Sequence, residues 1–399
     1  MKHKIAGSKL VNLTLVMLLS AACATAQPET TLAPPTTTPA LPTSTTAPPT
    51  EMTAPTATST LPPTATTEPT PSATITPIEA PELNPSPRGY VSIAYDSESD
   101  KVILFGGVIP GGPPYKFNDE TWAYDVASNT WTNLRPASGP SLRGAVDLVY
   151  DSNSDRIILF GGSTGATLQT ALVLYDTWAY DFNTNTWTEM AKGPGDHLGY
   201  RMAYDAESDR CILFGGMGYP SFKMYNDTWA YDFNSDTWTE MQPSTSPPGR
   251  NYHAMAYDAQ ADRVILFGGS DPQDKGIRDT WAYDFNTNTW QELERGEGES
   301  PSGRFYHTLT YNTGADRTIL FGGSWGGNET WSYDYSTNTW TKLDPAENPG
   351  RRTRHAMVYS TASDRAILFG GGPAHLDYTD DTWAYDYNTN TWTDLTRRP

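Results

Sequence analysis

The sequence is poor in cysteine, since its 399 residues include two, Cys23 and Cys211. Because Cys23 closes a segment typical of an export signal, a mature domain would keep Cys211 alone, and an internal disulfide framework is excluded. Cys211 stands in the stretch "RCILFGG", and the corresponding stretches have Val, Ile, Thr or Ala at its place. This pattern predicts a buried side chain in a strand rather than a reactive thiol.

Basic residues are also scarce, with 27 Lys and Arg against 46 Asp and Glu and a net charge of -19. The first 87 residues hold three of the basic and five of the acidic residues, so a net charge of -17 belongs to the rest of the chain. An acidic domain is not attracted by charge to nucleic acid or to anionic membranes. We therefore expect no nucleic-acid partner, and membrane association through a lipid anchor alone.

A long hydrophobic run is absent as well. The apolar stretch "LVNLTLVMLLSAA", Leu10–Ala22, is too short and too polar to cross a bilayer comfortably. It follows a basic start at Lys2, Lys4 and Lys9. Together these features predict an export signal over residues 1–23.

The signal ends in "SAAC", Ser20–Cys23, which resembles the bacterial lipobox. That resemblance implies acylation of Cys23 and a lipoprotein anchored at the cell surface. The sequence departs from the pattern because Ser20 stands where Leu is usual. The alternative is cleavage after "ATA", Ala24–Ala26, which would release a soluble secreted protein.

Aromatic residues are missing from residues 24–87, where Pro and Thr dominate and aliphatic side chains are sparse. Such a segment cannot bury enough apolar surface to form a core. We therefore predict a disordered Pro/Thr-rich linker that holds the following domain away from the membrane.

The remainder of the chain is a repeat. The stretch "DTWAYDFNTNTW" occurs identically at Asp176–Trp187 and Asp279–Trp290, with four near copies elsewhere, and "ILFGG" precedes each copy. Each "ILFGG" ends in a pair of glycines, and the first glycines of successive pairs are 55, 54, 53, 54 and 48 residues apart. Each module contains four short strand signals separated by polar turns, which predicts a four-stranded antiparallel sheet. Six such sheets in a ring form a β-propeller.

The modules resemble the repeats of the kelch family. The shared features are an Arg before the first strand, a double Gly after the second strand, and then the motifs W-x-Y-D and N-T-W. The resemblance implies an all-β, six-bladed kelch-type propeller with four antiparallel strands per blade, over residues 88–399. The predicted blades span approximately residues 88–138, 139–193, 194–245, 246–298, 299–346 and 347–395. The first module opens with the first strand type and the last closes with the fourth, so we expect no strand exchange between the termini.

Three histidines, His253, His307 and His355, occupy the same position in successive modules and are weak candidates for a metal site. A structural role beside the first strand is the alternative that we favour. No catalytic set emerges, and we expect no metal and no cofactor. An enzyme is therefore not the favoured interpretation.

If the repeated residues build the scaffold, function should reside in what does not repeat. These are the loops from each double glycine to "TW", and the segments that join the blades. Aromatic and arginine side chains in such loops are typical of recognition surfaces. The candidates are Tyr115, Tyr219, Phe222, Trp325, His375 and Tyr378 in the first kind of loop, and Arg250, Tyr252, Arg304, Tyr306 and Arg354 in the joining segments.

The sequence thus favours an exported, monomeric binding module that recognises a protein or a glycan through its loop face. Two alternatives remain open. One is a sugar-processing enzyme similar to kelch-type sialic-acid epimerases, and the other is a structural spacer without a specific ligand. Trp325, the single Trp outside the repeat, either meets the ligand or packs on neighbouring loops.

Overall fold

The computed structural model describes residues 83–112, 114–165, 171–294 and 298–397. These residues form 26 strands, and no helix occurs among them. The described part of the chain accordingly contains no helix that could cross a membrane. The export signal, Cys23 and nearly all of the Pro/Thr-rich linker lie outside the described residues.

The strands are arranged as six four-stranded antiparallel sheets and one short hairpin. Blade one consists of β1 (Ser92–Asp96), β2 (Lys101–Phe105), β5 (Thr121–Asp125) and β6 (Thr130–Asn133), with the hairpin of β3 (Val108–Ile109) and β4 (Lys116–Phe117) in its loop. Blade two consists of β7 (Asp147–Asp151), β8 (Arg156–Thr164), β9 (Leu172–Asp181) and β10 (Thr186–Met190). Blade three consists of β11 (Arg201–Asp205), β12 (Arg210–Phe214), β13 (Thr228–Asp232) and β14 (Thr237–Met241).

The other three blades follow the same order. Blade four consists of β15 (Ala254–Asp258), β16 (Arg263–Phe267), β17 (Thr280–Asp284) and β18 (Thr289–Leu293). Blade five consists of β19 (Thr308–Asn312), β20 (Arg317–Phe321), β21 (Thr330–Asp334) and β22 (Thr339–Leu343). Blade six consists of β23 (Ala356–Ser360), β24 (Arg365–Phe369), β25 (Thr382–Asp386) and β26 (Thr391–Asp394). The predicted six-bladed propeller is therefore confirmed.

Each described blade takes its four strands from one continuous stretch of the chain, so no strand is exchanged between the termini. The ring closes because β1 lies beside β23 in the same way as it lies beside β7. A backbone hydrogen bond from the Tyr90 amide to the Arg354 carbonyl, at 3.0 Å, joins blade one to blade six.

The second strand of each blade is an uninterrupted apolar run buried on both faces, as its sequence predicts. Leu266 and Phe267, for example, are 0% exposed. Cys211 lies in the equivalent strand of blade three and is buried as predicted, and burial raises the pKa of its thiol well above the ordinary value.

The repeated Trp of the fourth strand explains much of the repetition. Its indole N–H donates to the hydroxyl of a Thr in the third strand of the preceding blade. The pairs are Trp131–Thr382, Trp187–Thr121, Trp238–Thr177, Trp290–Thr228, Trp340–Thr280 and Trp392–Thr330. Each blade is thus fastened to its neighbour by a side chain of the repeated stretch, which identifies that stretch as scaffold.

The double glycine is required by a close approach of the next blade. The carbonyl oxygen of Arg304 would lie 2.7 Å from a Cβ placed on Gly268, whose φ of 70° also disfavours other residues. The amide of Gly269 donates to the same carbonyl at 2.9 Å. Joining segments and double-glycine loops therefore meet at one end of the propeller, and we call this end the loop face.

Candidate functional site

The arginine that opens most joining segments lies beneath the loop face rather than on it. Arg250 is 0% exposed and binds both carboxylate oxygens of Asp279, at 2.5 and 2.8 Å. It also donates to the Gly268 carbonyl at 2.9 Å. The side chain therefore fastens the joining segment of blade four to its own sheet.

Arg304 occupies the same place in blade five. It is 0% exposed, and it donates to Glu329 at 2.6 Å and to the Gly322 carbonyl at 3.1 Å. Burial acts to raise the pKa of Glu329, but hydrogen bonds from Arg304 and Trp331 outweigh it and hold that pKa below the ordinary value. The N–H donors of Arg250 and Arg304 form hydrogen bonds inside the fold. We therefore leave both residues out of the candidate surface, although the sequence analysis named them as candidates.

The residue two positions after each of these arginines, or after His197 in blade three, lies near the propeller axis. In the six blades it is Tyr90, Ala145, Gly199, Tyr252, Tyr306 and Arg354, and all have φ between 52° and 72°. Backbone hydrogen bonds join several of them from blade to blade, such as Tyr306 to Tyr252 at 3.0 Å. This left-handed turn brings the side chains of the three tyrosines and Arg354 together at the end of the central channel.

Four of these side chains converge, and we call them the central cap: Tyr90, Tyr252, Tyr306 and Arg354. The hydroxyls of Tyr90 and Tyr306, from blades one and five, lie 3.3 Å apart. The rings of Tyr252 and Tyr306 have centroids 4.2 Å apart. The guanidinium of Arg354 lies 4.0 Å from the Tyr306 ring centroid and 5.1 Å from that of Tyr90. A cation is thereby fixed over two aromatic faces.

Arg354 has few partners within the protein. Its Nη1 donates to the Thr353 hydroxyl at 2.8 Å. Its buried Nε has no hydrogen-bond partner, and Arg354 forms no ion pair with any carboxylate of the described residues. Burial raises the pKa of Tyr306 well above the ordinary value, so the phenol beneath Arg354 stays neutral. The cap therefore presents one uncompensated positive charge.

A line of rings crosses the loop face through the cap, and we call it the aromatic row: Trp325, Phe305, Tyr306, Tyr90, His375 and Tyr115. Its successive centroids are separated by 5.2, 5.0, 5.6, 6.3 and 6.1 Å. Trp325 ends the row with 58% of its surface exposed and with one edge against Phe305. Tyr306 is buried and the other four rings are half-buried, so the row is a partly exposed aromatic surface with Arg354 beside its middle.

At the other end, His375 has its ring centroid 6.5 Å from that of Tyr378. Tyr378 is buried and covers Gly89, where a Cβ would lie 2.5 Å from its ring. Burial, and then the charge of Arg354, lower the pKa of His375 to about 4, so its imidazole is neutral at pH 7. Tyr378 thus supports the row from below, and His375 adds no charge to it.

Tyr219 and Phe222 form a separate pair in the loop of blade three. Their ring centroids are 5.7 Å apart, and the Tyr219 amide donates to Asp196 at 2.8 Å. We therefore treat them as a local cluster rather than as part of the aromatic row.

The three aligned histidines pack inside the propeller. His253, His307 and His355 are at most 4% exposed, and each lies edge-on to a Phe of the preceding blade, with centroids 5.5 to 5.6 Å apart. Burial lowers the pKa of His253 and His307 well below the ordinary value and that of His355 to about 3. In the described part of the chain, no three His, Cys, Asp or Glu residues form a group suited to a metal ion.

Sequence reasoning missed two members of the row, Tyr90 and Phe305. Tyr90 stands in register with Tyr252 and Tyr306, so aligning the modules could have found it. Phe305 has no such signal, because its position in the other modules is taken by Gly, Leu, Asn or Thr.

Comparison with known proteins agrees with this architecture. The family model described as the KLHDC2/KLHL20/DRC7 Kelch-repeats domain matches residues 67–248 and 203–398. The chain is 27% identical over 250 residues to Kelch domain-containing protein 1 of Mus musculus, covering 56% of this chain and 60% of that protein. It is 25% identical over 205 residues to Mei4-dependent protein 6 of Schizosaccharomyces pombe, covering 46% of this chain and 29% of that protein. Because the family model matches well over half of the chain, the protein belongs to the Kelch-repeat family.

Proposed function

We propose that the protein is a protein-interaction module that binds an extended segment of a partner protein along the aromatic row, with an acidic side chain of that segment on Arg354. The observation that carries the proposal is the position of Arg354. It is a cation held over two Tyr rings, without a carboxylate partner in the described protein, in the middle of a partly exposed aromatic surface.

The side chains of the row suit recognition. Aromatic residues and Arg are enriched in the buried centres of protein interfaces, where they contribute most of the binding energy. Arg354 is held in place before binding, so little of its side-chain entropy is lost when a carboxylate arrives. A bidentate Arg–carboxylate pair would also satisfy donors that the protein leaves free.

The net charge of the domain further limits the kinds of partner protein that it can bind. With a net charge of -17 on residues 88–399, a strongly acidic partner would be repelled by most of the surface. Arg354 is one charge among neutral rings, so it fits a single carboxylate flanked by apolar side chains. We therefore infer a segment with one Asp or Glu between hydrophobic residues.

The proposal includes a location for the protein at the outer surface of the cell. The basic start, the short apolar stretch and Cys23 support export and a lipid anchor, and the Pro/Thr-rich linker would carry the propeller outward. A kelch module at the cell surface would then present its loop face to proteins outside the cell. Glycan binding, which aromatic rows also support, is the competing outcome.

The test is a selection from a displayed random-peptide library with the full chain, run in parallel with a glycan array. We expect enriched peptides that carry one Asp or Glu with apolar neighbours. Arg354→Gln should weaken their binding at least tenfold, since hydrogen bonds to charged groups contribute about 1.5–3 kcal/mol. Arg351→Gln, an exposed arginine of the same segment, should bind as the wild type does. Enrichment of glycans with no peptide selected would contradict the proposal.

A further inference from the structure

The first strands of the six blades enclose a central cavity of about 350 Å³. Residues of β1, β7, β11, β15, β19 and β23 line it. The central cap precedes these strands directly in the chain and stands at one end of the cavity. The cavity is distinct from the aromatic row, which lies on the loop face.

One cation lines this cavity, Arg201, the first residue of β11. Its Nη1 donates to the Tyr200 carbonyl at 3.1 Å. It forms no ion pair with a carboxylate anywhere in the described ranges. Since a guanidinium has five N–H donors, this one bond leaves other donors of Arg201 available to a ligand in the cavity.

The equivalent positions of the other blades leave space around Arg201. They are Ser92, Asp147, Ala254, Thr308 and Ala356. Four of the five are small or hydroxyl-bearing and uncharged. The long side chain of Arg201 therefore extends into room that no equivalent side chain of a facing blade fills.

Asp147 is the single acidic residue among those that line the cavity, but its oxygens are engaged. The Ser92 hydroxyl lies 3.2 Å from Oδ1, and the Met202 amide donates to Oδ2 at 2.7 Å. These bonds hold the carboxyl between blades one and three. Burial raises the pKa of Asp147 against the opposing charge of Arg201, and the carboxyl forms no ion pair with Arg201.

We propose that the central cavity is a binding site for a small monovalent anion, a halide or a short carboxylate, with Arg201 as its principal ligand. Arg201 is half-buried, and a partly desolvated cation without a carboxylate partner is stabilised by an anion beside it. The Thr308 and Thr310 side chains on the facing wall bring hydroxyl groups to the same cavity. A single charge favours a monovalent anion over phosphate or sulfate.

The site is tested by chlorine NMR line widths. Chloride is titrated into the full chain, and sodium gluconate keeps the ionic strength constant. We expect the wild type to broaden the chloride resonance and formate to reverse the broadening. Arg201→Gln should weaken chloride binding about tenfold or more, because it removes a charge-assisted hydrogen bond. Arg201→Lys should retain binding, and Arg351→Gln should match the wild type.

A second variant keeps the test decisive if Arg201→Gln does not fold. Ala254→Asp would place a second carboxylate at the level of Arg201, on the other side from Asp147, and its negative charge should abolish the broadening while Arg201 remains. Unchanged broadening in Arg201→Gln or in Ala254→Asp would place the anion elsewhere and overturn the proposal. No broadening by the wild type would show that the cavity holds water alone, which also overturns it.

Discussion

Trp340 in the fourth strand of blade five donates its indole N–H to the hydroxyl of Thr280 in the third strand of blade four, at 3.1 Å. Both side chains are buried. The equivalent bond from Trp131 to Thr382, at 3.0 Å, closes the ring between blades one and six. The repeated stretch therefore encodes a contact that each blade makes with the blade before it, and its near identity in every module follows from that shared role.

Removing one of these bonds should destabilise the whole ring. Thr280→Val keeps the shape of the side chain but leaves the buried Trp340 N–H without an acceptor, which we expect to cost about 1–3 kcal/mol of unfolding free energy. The matched control is Thr341→Val, the same change at an exposed strand position. Urea denaturation of both variants measures the difference. Equal stabilities would show that the bond contributes nothing beyond packing.

Acid should weaken the joining segments. Burial opposes ionisation of Asp381, but hydrogen bonds and charge from Arg352 outweigh it and hold the pKa of this carboxyl below the ordinary value. Asp176 and Glu120 behave likewise beside Arg143 and Arg88. Because these pKa values are depressed on folding, their contribution is complete above the unfolded carboxyl pKa of about 4 and is lost as pH falls through the folded values.

This dependence is checked by measuring the unfolding free energy from pH 6 to pH 3. Asp381→Asn should be less stable than the wild type at pH 6, and the gap should narrow as the pH falls. Asp394→Asn changes an exposed carboxyl at the end of β26 and serves as the control. A gap that stays constant down to pH 3 would disprove the assignment of this linkage to Asp381.

Substitution of Trp325 should affect partner binding, whereas substitution of Trp281 should affect stability. Trp325 is 58% exposed, so Trp325→Ala should leave the melting temperature nearly unchanged while weakening partner binding by about 2 kcal/mol or more, as interface aromatics do. Trp281 is 6% exposed, and Trp281→Ala should cost about 3–5 kcal/mol of stability. A Trp325→Ala protein that melts much earlier yet binds normally would assign Trp325 to the scaffold through its contact with Phe305.

Anchoring is predicted by the lipobox-like stretch and is tested at Cys23. Cys23→Ala should move the protein from the membrane fraction to the soluble fraction and abolish incorporation of labelled fatty acid. Cys211→Ala should keep the label, because Cys211 is buried in β12. A wild-type protein that is soluble and begins at Gln27 would show that the signal is removed by ordinary cleavage instead.

The fold could be predicted because the same information occurs in every module. Four strand signals, a double glycine and two Trp recur at a nearly constant period, so a doubtful strand in one module is supported by the others. The register of the apolar runs then determines which side chains are buried, as for Leu266 and Phe267.

The site could be predicted only in part, because it is formed by contacts across the ring. Tyr90 and Tyr306 are 216 residues apart in sequence, and they meet because a left-handed turn in each joining segment points their side chains to the axis. Charge was misleading for Arg250 and Arg304. A charged side chain suggests the surface, yet Asp279 and Glu329 allow both arginines to be buried.

In blade three a histidine replaces the arginine of the joining segment, and a search for the repeated Arg does not find it. His197 takes the place of the arginine, with Nε2 2.9 Å from Asp227 Oδ2 and Nδ1 2.5 Å from the Gly195 carbonyl. Both ring nitrogens thus lie against oxygen acceptors of the same blade, as the guanidinium nitrogens do in the other blades. The role of the position is preserved while the residue type changes, which the spacing alone does not reveal.

The central claim is that Arg354 receives a carboxylate of the partner, and a double-mutant cycle tests it most directly. The affinities of a selected acidic peptide and of its amide isostere, with Gln in place of Glu, are measured for the wild type and for Arg354→Gln by calorimetry. We predict a coupling energy of about 1.5–3 kcal/mol between Arg354 and the peptide carboxylate. A coupling energy near zero, with both peptides bound equally by both proteins, would contradict the account.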